Sequence, residues 1–133
     1  MLQSEVSEIP LFAEVSDEAA AMVAQGGVTE VPAGQILAQA GDPGFGMCVV
    51  LEGSVLVERG DLQLVIEPGG FFGELALLVP DSPRIARVRA KTDVRVLAVP
   101  RTTFDYLLEN EPSFTRAVLR EVAARLVQAR TER

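Results

Sequence analysis

The chain has 133 residues, of which 48% are hydrophobic and 23% charged, and this composition predicts one globular domain that buries about two thirds of its unfolded surface. Its formal net charge of −7, without a basic cluster, makes it a poor electrostatic partner for DNA or RNA. The sequence contains no histidine, which excludes histidine-ligated metal sites, Ser-His-Asp triads and Cys-His dyads, and argues against the metal-binding cupins.

Charge and cysteine content narrow the setting further. Residues 1–58 contain nine acids and no Lys or Arg, whereas residues 59–133 contain twelve bases and ten acids. No apolar run approaches the roughly 18 residues of a membrane span, and the N-terminus lacks the basic and apolar regions of a signal peptide. The single cysteine, Cys48, lies in an apolar run and is expected to be a buried small hydrophobe. Together these features favour a cytoplasmic location.

The first predicted elements are a short helix and then a series of strands. Asp17 to Gln25 is alanine-rich, with Ser16 or Asp17 available as N-cap and a glycine pair after its end. From Val28 to Val99, short apolar segments alternate with glycine and proline turns, a pattern typical of an antiparallel sandwich or barrel, here a jelly roll. Within it, Arg59-Gly60-Asp61 predicts a tight hairpin.

After Pro100 the pattern becomes helical again. One helix is predicted from Arg101 to Asn110, Pro112 interrupts it, and a final helix runs from about Ser113 toward Arg130. The apolar stripe of the final helix consists of Phe114, Val118, Val122 and Leu126, widened by Leu119, Ala123 and Val127. Packing of this stripe on the barrel is the favoured interpretation, and a helix-to-helix dimer seam or a movable lid are the alternatives.

The predicted fold is therefore mainly β with flanking helices: an antiparallel jelly-roll barrel with a short N-terminal helix and two C-terminal helices. Residues 1–133 form a single domain. Its parts are an N-terminal helical segment (1–27), the jelly roll (28–99) and the C-terminal helices (101–133).

Residues 71–90 are the most informative stretch for function. Gly73 lets backbone come close to a ligand, and the short helix predicted after it offers the N–H groups of Leu75 and Ala76 at its positive end. Arg84, at the end of the following loop, carries a planar guanidinium that matches phosphate oxygens. Glu74 would repel a phosphate, so it is expected to accept hydrogen bonds from another part of the ligand, such as a ribose hydroxyl. The segment can therefore hold a small phosphorylated sugar.

Strand alternation gives an independent argument for Arg84. The alternating set that contains Arg84, Ala86, Val88 and Ala90 is mostly apolar and should face the barrel interior. A buried guanidinium needs a carboxylate, a phosphate or solvent as partner. Arg84 therefore either binds a ligand phosphate or pairs with Glu74. Residues 85, 87 and 89 should face outward, with Arg87 and Arg89 as surface charges.

The stretch from residue 71 to 86 resembles the phosphate-binding cassette of the cyclic-nucleotide-binding domain family. This is the module of catabolite activator proteins, protein kinase A regulatory subunits and cyclic-nucleotide-gated channels. The likeness extends over nearly the whole chain, through the segments 9–12, 15–18, 30–37, 41–42 and 50–55.

The resemblance implies a role for each cassette residue. Glu74 is similar to the carboxylate that accepts the ribose 2′-hydroxyl, and Arg84 to the arginine on the phosphate oxygens. The remaining positions are Gly73, Leu75 and Ala76, which offer backbone groups, and Ala86, which matches a small residue. Ile85 departs from the family, which usually has Ser, Thr or Ala there. If it points outward, the cost is one hydrogen bond, about 0.5–1.5 kcal/mol, and if it points inward it crowds the phosphate.

The resemblance implies a non-catalytic receptor for a cyclic nucleotide, cAMP or else cGMP, with no metal and no cofactor. Signalling would occur through movement of the C-terminal helices toward an effector of unknown identity, with a homodimer through the last helix as an option. A degenerate module that binds no ligand and serves as an interaction domain is the alternative, and an enzyme on a similar barrel is the remote one. No helix-turn-helix follows the module, so we expect no DNA binding by this chain.

Overall fold

A computed structural model describes residues 1–39, 46–79 and 86–131 of the chain. The helices are α1 (Gln3–Val6), a 3₁₀ turn (Pro10–Phe12), α2 (Asp17–Ala24), α3 (Leu75–Leu78), α4 (Arg101–Asn110) and α5 (Pro112–Thr131). The strands are β1 (Val28–Val31), β2 (Ile36–Ala38), β3 (Gly46–Glu52), β4 (Val55–Arg59), β5 (Leu62–Ile66), β6 (Phe71–Phe72), β7 (Arg87–Ala90) and β8 (Val94–Pro100). Residues group into a helical unit (Met1–Gln25 with Asp105–Arg133) and a β unit (Gly26–Phe104). None of the helices in the described ranges is long and apolar enough to cross a membrane.

The β unit is built from two antiparallel sheets of four described strands each. Sheet 1 has the strand order β1-β8-β3-β6, and sheet 2 has the order β2-β7-β4-β5. This arrangement, with helices before and after it, confirms the prediction of a mainly β jelly roll with N-terminal and C-terminal helices. Since no described strand bonds one sheet to the other, the two sheets form a sandwich rather than a closed barrel.

The inner faces of the two sheets enclose the core of the β unit. Alternate residues on each strand point inward, so the cross-strand pair of Val55 and Ile66 and the neighbouring Val88 and Ala90 share one apolar face. The buried members of this cluster are Ala38, Val50, Val55, Ile66, Phe72, Val88, Ala90, Val94 and Val96. Burying such side chains contributes about 1.5–3 kcal/mol for each of the larger ones and sets the strand registers.

Two turns of the β unit, between β3 and β4 and between β4 and β5, each contain a glycine with positive φ. The predicted hairpin is confirmed: β4 and β5 pair from Val55 with Ile66 to Arg59 with Leu62, and Gly60 adopts a φ of 59° at the turn. Gly53, with a φ of 77°, carries the chain from β3 to β4 and so from one sheet to the other. Positive φ is costly for residues that carry a Cβ, which explains glycine at both places.

The helical unit is joined by hydrogen bonds at the start of α2. The Oγ of Ser16 accepts a hydrogen bond from the backbone N–H of Ala19 at 3.1 Å, which confirms Ser16 as the N-cap. The backbone N–H and the hydroxyl of Ser16 donate to the two carboxylate oxygens of Glu111, at 2.7 Å and 3.1 Å. The linker residue between α4 and α5 thus holds the N-terminal helices, although 95 residues separate the two partners.

One residue, Glu111, separates α4 from α5. Pro112 is the first residue of α5, where a missing backbone N–H costs no helix hydrogen bond. Phe114 is fully buried and stacks on Phe12 of the 3₁₀ turn, with ring centroids 5.9 Å apart and planes 8° from parallel. Val118, one turn later, is 2% exposed. These contacts fix the first half of α5 within the helical unit.

The predicted apolar stripe of α5 is divided in the structure. Phe114 and Val118 are buried, whereas Leu119 is 66% exposed and Leu126 and Val127 are each 62% exposed. A width of seven apolar positions covers more of a helix surface than one packing contact can use. The helix therefore has one buried apolar face and a second, exposed one.

The two glycine turns supply a matched pair of stability variants. Gly60→Ala should cost about 1–2 kcal/mol, since a Cβ at Gly60 meets nothing within 4 Å and only the backbone conformation is strained. Gly53→Ala should cost more, roughly 2–5 kcal/mol, because a Cβ there would also collide with the carbonyl of Asp93 and the hydroxyl of Thr92. Urea unfolding of both variants measures the difference, and equal losses would contradict this account of Gly53.

Candidate functional site at the segment after strand β6

The candidate site begins where the chain leaves sheet 1 after β6 and enters α3. Phe71 and Phe72 form the short strand β6 and are each 3% exposed, and Phe72 pairs with Cys48 of β3. The turn before β6 is bonded to β3 as well: the N–H of Val50 donates to the carbonyl of Gly70 at 2.9 Å, and the N–H of Gly69 donates to the carbonyl of Val50 at 2.8 Å. The start of the cassette is therefore fixed to β3, at the edge of the described part of sheet 1.

Gly73 lies directly after β6 and has a φ of 94°. A residue with a Cβ is strained in this conformation, so the sequence uses glycine to turn the chain out of the sheet. The prediction that position 73 needs glycine for backbone reasons agrees with this geometry. The turn leads into Glu74, the N-cap of α3, and then into the single helical turn Leu75–Leu78.

The first turn of α3 presents backbone donors. The N–H groups of Leu77 and Leu78 donate to the carbonyl of Glu74, at 3.0 Å and 2.9 Å. Those of Leu75 and Ala76 come earlier in the helix and have no carbonyl four residues back within it. The side chain of Glu74 forms no capping hydrogen bond to them. Because α3 is only one turn long, its dipole is small, and its value for an anion lies in these N–H donors rather than in a macrodipole.

Glu74 is 3% exposed and is the one charged residue classed as buried in the part of the chain that the structure describes. Removing a carboxylate from water is costly unless hydrogen bonds or opposite charges compensate. The burial of Glu74 fits the predicted role of an acceptor for ligand hydroxyls.

Two of the predicted site residues, Arg84 and Ile85, lie outside the described residues. The next one, Ala86, is half-buried just before β7, and Val88 and Ala90 are buried in the core cluster. The alternation that predicted an inward position for the set 84, 86, 88 and 90 therefore holds for 88 and 90. The role of Arg84 stays a prediction.

The prediction that Arg87 and Arg89 face outward as surface charges agrees with the structure, which adds that they share one partner. Both contact Glu58 of β4: Nη2 of Arg87 lies 3.1 Å from Oε1, and Nη2 of Arg89 lies 3.4 Å from Oε2. The register places Glu58 directly opposite Arg87 on the neighbouring strand. The mostly buried carboxylate of Glu58 is shared by the two guanidinium groups, and this contact explains why Arg87 and Arg89 are not fully exposed to solvent. These arginines belong to the outer face of sheet 2.

Sequence reasoning missed two apolar residues on the inner face of sheet 2, Val57 and Leu64. Cys48, Val57 and Leu64 are half-buried next to the core cluster, whereas Val55 and Ile66, at the end of the sandwich where β3 turns into β4, are buried. The expected burial of Cys48 is only partly met. The alternation of Val55 with Val57 in β4 and of Leu64 with Ile66 in β5 is the sequence signal that could have identified Val57 and Leu64 as inward-facing.

A groove of about 460 Å³ lies elsewhere, where β1, β3 and β8 meet. Its lining consists of Glu30, Val31, Pro32, Glu52, Asp93, Val94 and Arg95. Glu30 and Glu52 flank Arg95 in the strand register, and Nη1 of Arg95 lies 3.5 Å from Oε1 of Glu52. Three carboxylates against one guanidinium disfavour an anionic ligand, so the groove does not compete with the segment after β6 as a phosphate site.

Comparison with known proteins decides the family. The sequence model of the cyclic nucleotide-binding domain matches residues 28–111. The chain belongs to this family. The match includes both sheets, the segment after β6 and all of α4, so the predicted resemblance is confirmed.

Individual relatives agree with this assignment. A cAMP-dependent protein kinase regulatory subunit of Emericella nidulans is 34% identical over 119 residues, covering 81% of this chain and 27% of the subunit. The catabolite activator protein of Thermus thermophilus has 27% identity and a TM-score of 0.75, covering 92% of this chain and 61% of that one. A structure from a cyclic-GMP-dependent pathway of bacterial phytopathogenesis has 33% identity and a TM-score of 0.68, covering 85% and 94%. The chain spans less than a third of the curated relatives that it matches.

Gly73 and Gly34 allow the site's backbone requirement to be tested in this cyclic nucleotide-binding domain. Gly34→Ala should cost about 1–2 kcal/mol of stability, since a Cβ there meets nothing within 4 Å, and Gly73→Ala at least as much, because the φ values of 94° and 90° are nearly equal. Only Gly73→Ala should also move the N–H groups of α3 and weaken nucleotide binding, by tenfold or more. Titration calorimetry with cAMP, alongside urea unfolding, measures both effects. An equal loss of affinity in Gly34→Ala would show that strain alone, and not the position of α3, is responsible.

Proposed function

We propose that this domain is a non-catalytic receptor for a 3′,5′-cyclic nucleotide, with cAMP as the first candidate. The observation that carries the proposal is the geometry from Gly73 to Ala76: a positive-φ glycine, two backbone N–H groups at the start of α3, and a buried carboxylate between them. A cyclic phosphate is an anion bonded to a ribose, and it needs both N–H donors and a hydroxyl acceptor within a few ångströms. Membership of the cyclic nucleotide-binding family supports this use of the segment.

Each residue of the cassette has a distinct proposed role. The N–H of Ala76 donates to the cyclic phosphate, and Glu74 accepts the ribose 2′-hydroxyl. Gly73 and Leu75 supply close backbone. Arg84 neutralises the phosphate, a necessary contribution because the buried Glu74 carboxylate would otherwise repel it. The position of Arg84 is inferred from the resemblance and from the inward alternation of Val88 and Ala90.

Two further positions complete the cassette. Ala86 is half-buried ahead of β7 and leaves room for the phosphate side of the ligand. Ile85 keeps a backbone N–H but has no hydroxyl, so one hydrogen bond of the family is absent, about 0.5–1.5 kcal/mol. If Ile85 instead pointed inward, the domain would be the degenerate module that binds no ligand and serves only in protein interactions. That is the second candidate function.

The choice between cAMP and cGMP is proposed on the relatives and on Ile85. One relative is named as a cAMP-dependent protein kinase regulatory subunit, and one structure comes from a cyclic-GMP-dependent pathway. The missing hydroxyl at position 85 disfavours cGMP. We therefore propose cAMP and keep cGMP as the competing ligand.

Signalling is proposed to use the C-terminal helices α4 and α5. A ligand that converts a two-state element from 1:99 to 99:1 must bind one state about 10⁴-fold more tightly than the other. The effector could be another part of a longer protein or a separate partner, and a homodimer through α5 stays a prediction. A cytoplasmic location and the absence of DNA binding by this chain are proposals as well.

The contact between Glu74 and the ribose can be isolated with a double-mutant cycle. The variants are Glu74→Gln and, as a control, the exposed turn residue Glu67→Gln, and the ligands are cAMP and 2′-deoxy-cAMP. The protein is unfolded and refolded beforehand to remove co-purified nucleotide. Glu74→Gln should weaken cAMP at least tenfold, about 1.4 kcal/mol, and hardly affect the deoxy ligand, because the contact is then already absent. Equal losses with both ligands would exclude the proposed hydroxyl contact.

Arg84→Leu tests the phosphate contact in the same calorimetric experiment. We expect one cAMP per chain for the wild type and an affinity at least tenfold lower for the variant, with the exposed Arg59→Leu as control. If the wild type gives neither heat nor thermal shift with cAMP, cGMP or cyclic dinucleotides, the receptor proposal fails. The degenerate interaction module then becomes the better description.

Cys48 offers a natural reporter of occupancy. It is the single cysteine, half-buried on the inner face beside Phe72, and so close to the start of the cassette. A bound nucleotide should cover the inner face around Cys48 and slow the reaction of its thiol with a disulfide reagent, several-fold at saturation. The control is the Glu74→Gln variant at a cAMP concentration that saturates only the wild type. An unchanged labelling rate at full occupancy would mean that the ligand does not enter between the sheets.

A further inference from the structure

Helix α5 carries a second apolar face that the helical unit leaves exposed. Arg116, Leu119, Ala123 and Leu126 follow one another at spacings of three, four and three residues, so they share one face, here called the outer face of α5. Leu119 is 66% and Leu126 is 62% exposed, and Arg116 and Ala123 are exposed too. Such spacing is the pattern with which one helix packs along another.

The outer face is basic as well as apolar. Arg120 adjoins it and is exposed like Arg116, and within the described residues neither guanidinium has a hydrogen bond or an ion pair. The nearest carboxylate along the helix, Glu121, is engaged by Nε of Arg125 at 3.1 Å. Residues two positions apart do not share a face, so Glu121 cannot serve the outer face. The exposed apolar strip therefore carries two positive charges without a local counter-charge.

This charge pattern disfavours self-pairing of α5. In a parallel pair of identical helices each seam position meets its own copy, so Arg116 would face Arg116. An antiparallel pair would still leave both arginines without a carboxylate. The stretch from Arg116 to Leu126 is about 17 Å long at 1.5 Å per residue, so any single helix that packs on it makes a small contact, below the roughly 800 Å² per partner of a stable interface.

An anionic membrane is the weaker alternative. The chain has a net charge of −7, and its first 58 residues contain nine acids and no base. Anionic lipid would repel most of this surface, whereas a partner helix needs to approach only α5.

We propose that the outer face of α5 is a docking site for an acidic amphipathic helix of a partner protein. Leucines of that helix would pack beside Leu119, Ala123 and Leu126, and its Glu or Asp side chains would meet Arg116 and Arg120. The small area makes the interaction reversible, with an affinity that salt weakens. The proposal goes beyond nucleotide binding and does not depend on it.

Two labelled synthetic 21-residue helical peptides test the proposal. Both carry leucine at the same heptad positions, and one has Glu and the other Lys at the flanking positions. Fluorescence anisotropy in the absence of nucleotide should show the Glu peptide binding at least tenfold more tightly than the Lys peptide, and less tightly at high salt. Arg116→Glu/Arg120→Glu should reverse this preference. The control Arg59→Glu/Lys91→Glu makes the same charge change at two exposed residues of the β unit and should keep it.

Several results would overturn the proposal. They are binding of neither peptide, equal binding of both, or an unchanged preference in Arg116→Glu/Arg120→Glu. Light scattering that shows a wild-type dimer, abolished by Leu119→Asp, would identify the outer face as a self-association surface instead. Binding to phosphatidylserine vesicles in place of the Glu peptide would identify it as a membrane surface. Thermal unfolding of every variant excludes loss of fold as the cause, and none of these outcomes bears on the nucleotide experiments.

Discussion

The pairing of the two-residue strand β6 with β3 is the constraint on which the candidate site depends. Phe71 and Phe72 are both buried, which contributes about 1.5–3 kcal/mol each, and the preceding turn is bonded to Val50. Because β6 is held against β3 at the edge of sheet 1, the positive φ of Gly73 turns the chain at a defined place. The N–H groups of α3 and the buried Glu74 therefore occupy positions fixed by the sandwich core and not by a long loop. A site this small can recognise a ligand only if its few donors and acceptors are preorganised in this way.

Strand alternation separates two populations of arginine in the same short segment. On the outer face of sheet 2, one carboxylate, Glu58, is shared by Arg87 and Arg89, so these charges are satisfied locally. The inner face at the same strand is apolar at Val88 and Ala90. A guanidinium placed on the inner side would have to find its counter-charge in a ligand or in Glu74.

Local signals predicted much of the fold. Ser16 as a cap, Gly60 in a two-strand hairpin and Pro112 at a helix start each act through their own backbone, so sequence neighbours suffice to find them. The bond between Ser16 and Glu111 joins residues 95 positions apart, and no local pattern announces it. Likewise, the heptad spacing of α5 shows that a surface is apolar but not which part of it already has a partner. Alternation shows which side chains of β4 and β5 point inward, but not how deeply Val57 and Leu64 are covered.

The hydrogen bonds between Ser16 and Glu111 also couple the two ends of the chain. The helical unit is composed of both ends of the chain, with the whole β unit inserted between them. Since a residue of the α4–α5 linker holds the start of α2, a displacement of that linker either carries the N-terminal helices along or breaks two hydrogen bonds. A further domain joined to the amino end would then be coupled to the same displacement of the linker as one joined to the carboxyl end.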